Sequence, residues 1–320
     1  MPAPADAAVK RGGLPATSSS SSAGSSSTTT TTITIAYLTF NFLSAVGIIF
    51  VNKFLFSSLS TPFNFPLALS IIHYAVTYSG LLLLRHGGVF KPRVGAGMTP
   101  RLWLLSVVVG IAPGLNNLSL QLNSVGFYTV VKLLVTPMIV VLEWALQGRT
   151  VSSLRGLALV TVALGVAISS VSDLTLQPAG LLTASLWLPV AAIYKVFWSR
   201  AQKEDGWETM PLMLQVLPWS ALWMVLMVPF VDPPGLAAFP FDAFNVLLIA
   251  VSGVAAFCVN YSGFLVLGHC QPLTHVVLGQ VKSASLILGG ALFFGQRPSA
   301  RALLGAFIAI TGSGVYAGVK

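Results

Sequence analysis

The chain has 320 residues, of which 55% are hydrophobic and only 8% charged, and its formal net charge is +9. Soluble domains carry about 25% charged residues, so this chain has too few charges to cover a surface exposed to water. Its Lys and Arg residues are scattered at the ends of apolar runs and form no basic stripe, which argues against a nucleic-acid partner. Apolar runs of about 20 residues recur along the chain, and that length spans a lipid bilayer as an α-helix. The sequence therefore predicts an all-α membrane protein whose surroundings are the bilayer.

Residues 1–32 differ in composition from the rest of the chain. They begin with Pro, Ala and Gly and end in a Ser/Thr tract that closes with "SSSTTTTT". Such a segment has no apolar side chains to bury, so we predict a disordered tail. Because it is rich in Ser and nearly free of acidic residues, an organellar transit peptide is an open alternative.

Ten apolar segments follow the tail, and several are separated by only a few residues, which forces neighbouring helices to run antiparallel. We predict ten transmembrane helices, at roughly 33–56, 65–85, 101–121, 125–147, 152–172, 179–199, 211–231, 243–267, 272–294 and 300–319. Single aspartates at 173, 232 and 242 fall in the connecting loops, where we expect them to be solvated.

The distribution of Lys and Arg predicts the orientation of these helices. With both termini on one face, that face collects eleven basic residues and the opposite face only Arg297 and Arg301. Cytosolic loops of membrane proteins carry this kind of excess, so both termini are predicted to be cytosolic. The eleven are Lys10, Arg11, Arg85, Lys91, Arg93, Arg101, Arg149, Arg155, Arg200, Lys203 and Lys320.

The two halves of the chain resemble each other. In each half an intramembrane lysine precedes an apolar run and a "QGR" or "GQR" corner: Lys132 lies 24 residues before Gly156, and Lys282 lies 23 before Gly305. This predicts a first five-helix repeat over 33–172 and a second over 173–320. Five is odd, so the second repeat enters the membrane from the opposite face. Inverted repeats of this kind hold substrate between them in many transporters.

Lysines inside the predicted helices are the strongest functional signal. An ionisable residue at such depth is costly, so it marks a functional site by default. Lys132 and Lys282 occupy equivalent positions in the two halves and have no acidic residue nearby in the sequence, which predicts a site for a phosphate-bearing anion. Lys53 is a candidate third cation, although Lys53 and Lys195 also lie close enough to helix ends to snorkel to the membrane surface.

Other polar or small residues fall at similar depths and are candidate contacts for a base or sugar. Hydrogen bonding between helices is the alternative for each polar one, and close helix packing is the alternative for the glycine. The candidates are Asn116, Asn117, Tyr128, Asn260, Tyr261, Gly279 and Ser283.

The motifs of common enzyme classes are missing from the sequence. It contains no HExxH, no GxSxG, no intramembrane carboxylate pair and no Gly-rich phosphate loop before a soluble helix. We therefore expect neither an enzyme nor a bound metal or cofactor.

Several runs resemble one known family of membrane proteins. The longest is "NLSLQLNSVGFYTVVKLLVTPMIVVLE" at 117–143, joined by "VNK" at 51–53, "VSDL" at 171–174, "VNYSGFLVLG" at 259–268 and "PLTHVVLGQVKS" at 272–283. They resemble the triose-phosphate translocator and nucleotide-sugar transporter family of the drug/metabolite transporter superfamily, and most closely its plant-type UDP-xylose and UDP-rhamnose/UDP-galactose transporters.

The resemblance implies ten helices in two inverted halves and exchange of a phosphorylated solute by alternating access. Lys132 and Lys282 match positions that grip phosphate in members of this family, and Asn116 and Asn260 match polar positions of the third and eighth helices. It also implies a UDP-sugar exchanged for the nucleoside monophosphate UMP across a Golgi or ER membrane, with a homodimer as an open possibility.

One departure from the family pattern bears on the substrate. Triose-phosphate members have Lys-Arg in the ninth helix, whereas here Lys282 is followed by Ser283. Without that arginine a bidentate phosphate clamp is lost, which favours a larger nucleotide ligand. The "PLTH" run is closer to the sugar-phosphate branch, so a plastid-envelope translocator of sugar phosphate or phosphoenolpyruvate is the alternative.

Overall fold

The computed structural model describes residues 22–93, 95–148, 150–171, 178–269 and 272–319, and within these ranges it contains helices but no strand. The eleven α-helices are α1 (Ser22–Ser57), α2 (Pro66–His86), α3 (Pro100–Leu122), α4 (Val125–Lys132), α5 (Val135–Gln147), α6 (Ser153–Val171), α7 (Pro178–Lys203), α8 (Thr209–Val231), α9 (Ala243–His269), α10 (Pro272–Phe293) and α11 (Ala300–Gly318). Residues 1–21 of the predicted tail lie outside the described residues, whereas residues 22–32 belong to α1.

The helices coincide with the predicted apolar segments, with one interruption. The fourth predicted segment is one membrane-length stretch, Val125–Leu146, broken into α4 and α5. Eight stretches in the described part of the chain are long and apolar enough to cross a membrane. The apolar parts of α6 and α10 are shorter, at Ser153–Ser169 and Val281–Phe293. The chain is a multi-pass, all-helical membrane protein.

Local sequence explains where several helices begin. The side chains of Thr99, Ser124 and Ser299 each accept a hydrogen bond from a backbone N–H of the first turn of α3, α4 and α11. Proline opens α2 and α3, where its missing N–H removes nothing because the first helical N–H groups have no partner. These caps fix the residues at which α3, α4 and α11 begin.

Asp232 corrects the expectation that the aspartates of the loops are solvated. Its side chain is only 7% exposed and follows directly after α8. Its two carboxylate oxygens accept hydrogen bonds from the backbone N–H groups of Leu67 and Ala68, at 2.9 and 2.8 Å. A carboxylate at a helix N-terminus satisfies N–H groups that lack partners and favours the helix dipole. Asp232 therefore caps α2 from a distant part of the chain.

An aromatic cluster packs beside this cap. The ring of Phe63 lies 5.3 Å from that of Phe65 and 4.9 Å from that of Phe239, both in edge-to-face geometry. All three are buried and belong to the largest core cluster, which also contains Tyr128 and Trp187. Edge-to-face aromatic pairs contribute beyond their buried area. This cluster closes one end of the helix bundle.

Helices α6 and α11 approach each other more closely than ordinary side chains allow. A Cβ placed on Gly165 would lie 2.7 Å from the carbonyl oxygen of Gly305, and a Cβ placed on Gly305 would lie 2.6 Å from that of Gly165. Small residues permit such backbone contact in membranes, where association depends on van der Waals packing.

We expect Gly305→Ala to destabilise the protein by about 1–3 kcal/mol, because the new methyl group must push α11 away from α6. Gly314→Ala in the same helix is the matched control. A Cβ at Gly314 meets nothing within 4 Å, so this change should stabilise by about 0.5–1 kcal/mol through the lower helix propensity of glycine. Thermal unfolding in detergent measures the stability of both variants. Equal changes in their unfolding temperatures would contradict the close α6–α11 contact.

Candidate functional site

Lys132 lies where the fourth membrane stretch is broken. Pro137 has no N–H and its ring clashes with the carbonyl group four residues earlier, that of Leu133, so a regular helix cannot continue through this region. The N–H of Leu133 instead bonds to the carbonyl of Val130 at 3.0 Å, a tighter turn. As a result α4 ends at Lys132 and α5 starts at Val135. Interrupted helices inside membranes are tolerated where they line a cavity.

That break borders a central cavity of about 510 Å³, whose walls come from α1, α2, α3, α4, α7, α8, α9 and α10. Eight of the ten residues predicted for a binding site line it: Asn116, Asn117, Tyr128, Lys132, Asn260, Gly279, Lys282 and Ser283. The fold thus brings residues from four helices, far apart in the sequence, to one place. The other two, Lys53 and Tyr261, are not part of the lining.

Lys132 rests against an aromatic ring. Its Nζ lies 5.6 Å from the ring centroid of Tyr128, in cation–π geometry. The Tyr128 hydroxyl donates a hydrogen bond to Asn116 Oδ1 at 2.7 Å, and its ring stacks on Trp187 at 5.8 Å. Tyr128 is only 1% exposed, so it holds a fixed position beneath the lysine. A cation–π contact stabilises the ammonium group without neutralising it.

Lys282 is held by an amide. Its Nζ donates a hydrogen bond to Asn41 Oδ1, and Asn41 Nδ2 donates to Ser262 Oγ at 2.9 Å. Nearby, Asn260 Nδ2 bonds to the carbonyl of Ala256 at 2.9 Å, which leaves the amide oxygen of Asn260 without a partner among the described residues. Lys282, like Lys132, therefore has a neutral partner.

The cavity carries an excess of positive charge. Its lining includes lysines but no aspartate or glutamate among the described residues. Lys132 is close enough to both Lys282 and Lys195 for the charges to repel one another. The ion pairs found in the described part of the chain join Arg101 and Arg200 to Glu204 and Asp205, none of which lines this cavity. The described lining therefore supplies no negative charge to balance its lysines.

Lys195 is not one of the ten predicted site residues, but it lies close to the cavity. Snorkelling to the membrane surface was the expectation because Lys195 lies near a helix end. In the structure Lys195 is exposed and is not part of the cavity lining, but its charge is close enough to that of Lys132 to repel it, and its neighbours Tyr194 and Trp198 on α7 line the cavity.

Asn117 belongs to a buried polar network as well as to the cavity wall. Its Oδ1 accepts from Asn52 Nδ2 at 3.1 Å, and its Nδ2 donates to Ser70 Oγ at 2.8 Å. Asn52 Oδ1 accepts from Ser252 Oγ, which is also 2.7 Å from His73 Nε2. The network joins α1, α2, α3 and α9. Both ends of the Asn117 amide are bonded, so this residue ties these helices together as well as lining the cavity.

Lys53 lies outside the cavity lining and caps a helix instead. Its side chain is 8% exposed, and Nζ donates hydrogen bonds to the carbonyl oxygens of Leu120, Gln121 and Asn123, at 3.0, 3.2 and 2.7 Å. The last carbonyl groups of a helix lack partners and carry partial negative charge, which a cation stabilises. This ammonium group fastens the end of α1 to the end of α3.

Tyr261 also lies outside the lining. Its ring is parallel to that of Phe257, with centroids 5.9 Å apart, on the same helix α9. The contact packs one turn of the helix against the next. Of the two residues "NY" singled out in the sequence, the fold therefore brings only Asn260 into the cavity.

The comparison with known proteins identifies the family. A model of the triose-phosphate transporter family matches residues 32–317, nearly the whole chain. The chain belongs to the triose-phosphate transporter family. This confirms the family predicted from the sequence motifs, and the members of this transporter family are carriers rather than enzymes.

Curated members of the triose-phosphate transporter family align along most of this chain. Nucleotide-sugar uncharacterized transporter 2 of Arabidopsis thaliana is 38% identical over 281 residues, which cover 87% of this chain and 70% of the relative. UDP-xylose transporter 2 of the same plant is 32% identical over 292 residues, covering 88% and 80%. A crystal structure of another protein has the same fold, with a TM-score of 0.57 and 16% identity over 90% of this chain and 97% of that one.

The position of Lys53 leads to a test that separates structural from binding lysines in this family member. We expect Lys53→Met to lower the free energy of unfolding by roughly 1.5–3 kcal/mol, because carbonyl groups at the end of α3 lose a charged donor. Ligand affinity of the folded fraction should stay unchanged. Lys91→Met, at an exposed position between α2 and α3, is the control.

Thermal unfolding in detergent gives the stability of each variant, and equilibrium binding of UMP gives the affinity. A Lys53→Met protein of normal stability that loses UMP affinity would place Lys53 in the binding site after all.

Proposed function

We propose that this member of the triose-phosphate transporter family exchanges a nucleotide-sugar, specifically a UDP-sugar, for UMP across a Golgi or ER membrane. Two relatives support this choice by name, since one is a nucleotide-sugar transporter and another a UDP-xylose transporter. Ser283 stands after Lys282 in place of a second cation, which favours a ligand larger than a triose phosphate. The bulky ligand also matches a cavity of about 510 Å³.

The observation that carries the proposal is the pair of lysines in a cavity whose described lining has no acidic residue. Lys132 and Lys282 repel each other, and the contacts of each with the described residues are to neutral groups. A diphosphate group bound between them would balance both charges. Lysine suits this task because its ammonium group is a compact point charge with three donors.

The remaining contacts follow from the cavity wall. We assign the sugar-proximal contacts to Asn260 and Ser283, whose polar groups lie beside Lys282 on α9 and α10. A Cβ at Gly279 would meet nothing within 4 Å, so the space in front of this residue is open. Because glycine has no side chain, a ligand can approach the backbone there. Asn116 and Tyr128 position Lys132, and Asn117 fixes the surrounding helices. Lys53 and Tyr261 have no direct part in this scheme.

An inverted repeat of five plus five helices is part of the proposal, with α4 and α5 counted as one. The pattern of helix contacts supports it. Exchanging the halves turns the α1–α9 contact into α7–α3, α2–α9 into α8–α3, and α1–α10 into α7–α5, and each of these pairs is in contact. The α6–α11 pair maps onto itself and is also in contact. Lys132 and Lys282 then lie on the helices that correspond to each other in the two halves.

Exchange rather than one-way transport follows from the charges. In the empty carrier the two lysines repel each other inside the membrane, which is unfavourable in either orientation. A bound anion offsets this energy, so the loaded carrier reorients more readily than the empty one. The excess of basic residues on one face further supports cytosolic termini, so that the nucleotide-sugar enters from the cytosol.

Transport by purified protein tests the proposal. The protein is placed in liposomes preloaded with UMP and offered labelled UDP-, GDP- and CMP-sugars, triose phosphate and phosphoenolpyruvate. We expect uptake of a UDP-sugar that depends on internal UMP. Uptake of triose phosphate or phosphoenolpyruvate without any nucleotide-sugar would instead identify a plastid-type sugar-phosphate translocator.

Removing either lysine of the pair should abolish this exchange. Lys132→Met and Lys282→Met keep most of the length of the side chain and delete its charge, and the loss of a charged hydrogen bond weakens UMP binding by about 10- to 150-fold. Lys91→Met, at an exposed position outside the cavity, should exchange normally. Unchanged exchange by both cavity variants would refute the role of the lysine pair.

A further inference from the structure

A second wall of the central cavity is aromatic. Tyr74 of α2 and Tyr194 and Trp198 of α7 line it, on helices other than those that carry Lys132 and Lys282. We call these three rings the aromatic wall. All three are partly exposed while packing against buried apolar side chains of α3 and α8. Their exposed surface is therefore turned toward the cavity.

The aromatic wall is held rigidly. Pro113 in α3 has no N–H, so the carbonyl of Val109 four residues earlier lacks its helical hydrogen bond. The Tyr74 hydroxyl donates to this carbonyl at 2.6 Å and fixes the ring. The rings of Tyr194 and Trp198 stand 5.7 Å apart in edge-to-face geometry. A platform fixed in this way binds a flat ligand at little entropic cost.

The surroundings of the aromatic wall are mainly apolar, which suits a neutral ring better than a phosphate. The lining from α8 consists of apolar side chains, among them Met213 and Val216, and the lining from α3 is apolar up to Asn116. Two hydroxyl groups interrupt these apolar surroundings, those of Tyr194 and Thr77. Neither has a hydrogen-bond partner in the described ranges of the chain. They can bond to the edge of a planar heterocycle while its face lies on an aromatic ring.

We propose that the aromatic wall is the nucleobase subsite of the transporter, which binds the base of the nucleotide while Lys132 and Lys282 bind its phosphates. This inference rests on the proposed function, because it presupposes a nucleotide ligand. Trp198 supplies the stacking face, and the hydroxyl groups of Tyr194 and Thr77 read the edge of the base. Bases stack well on aromatic side chains because every base has a π-face.

Binding of UMP and of ribose 5-phosphate tests the subsite. The two ligands share the ribose and the phosphate, and only UMP has a base. Wild-type protein should bind UMP more tightly. Trp198→Ala should weaken UMP binding by about 5- to 150-fold, the range expected for one stacked base, and leave ribose 5-phosphate binding unchanged. Trp198→Phe should retain most of the affinity for UMP.

Trp144→Ala is the matched control, because Trp144 is 61% exposed on α5 and lies outside the cavity. Tyr194→Phe removes only a hydroxyl and should weaken UMP binding but not ribose 5-phosphate binding, which keeps the test available if Trp198→Ala does not fold. Equal effects on both ligands, or none on UMP, would overturn the subsite. If wild-type protein binds ribose 5-phosphate as tightly as UMP, the subsite is refuted but the phosphate site is not. If it binds neither ligand, the proposed function itself is refuted.

Discussion

Two ammonium groups that cannot neutralise each other are held in one cavity among helices that span a membrane. The protein stabilises them with neutral partners: the ring of Tyr128 lies beneath Lys132, and the amide of Asn41 accepts from Lys282. Such partners lower the energy of a buried cation, yet they leave its charge available to an incoming anion. A carboxylate in the same place would have made a closed ion pair and an inert core.

Proline residues prepare the backbone for this arrangement. Pro137 interrupts one membrane stretch beside Lys132, and Pro113 frees the carbonyl that holds Tyr74. In each case the missing N–H changes the hydrogen bonding of a helix at the cavity rather than at the membrane surface. Both defects lie next to polar or aromatic groups that benefit from them, which is how broken helices are tolerated at this depth.

The helices and eight residues of the cavity lining could be predicted from the sequence, since both depend on local patterns. Apolar length located the membrane stretches, and the rarity of lysine in hydrocarbon singled out Lys132 and Lys282. The roles of Lys53 and Asp232 could not be predicted in this way. Each caps a helix that is distant in sequence, so the relevant partner is known only once α1 meets α3 and α8 meets α2.

The aromatic wall cannot be predicted from the sequence for the same reason. Tyr74 and Trp198 are 124 positions apart, and aromatic residues are common in membrane helices, so neither one alone signals a ligand. The sequence shows how far Lys195 lies from a helix end, and this predicts snorkelling to the membrane surface. It does not show how far Lys195 lies from Lys132, which is on another helix. Contacts between helices decide these assignments, and no single-segment pattern contains them.

The backbone contact between Gly165 and Gly305 has a mechanical consequence. Where two helices meet through side chains, they can slide by exchanging one set of rotamers for another. At Gly165 and Gly305 main chain lies against main chain, so no side chain separates the two helices at this contact. The close contact at this point therefore resists sliding of α6 past α11, and the two helices are expected to move together.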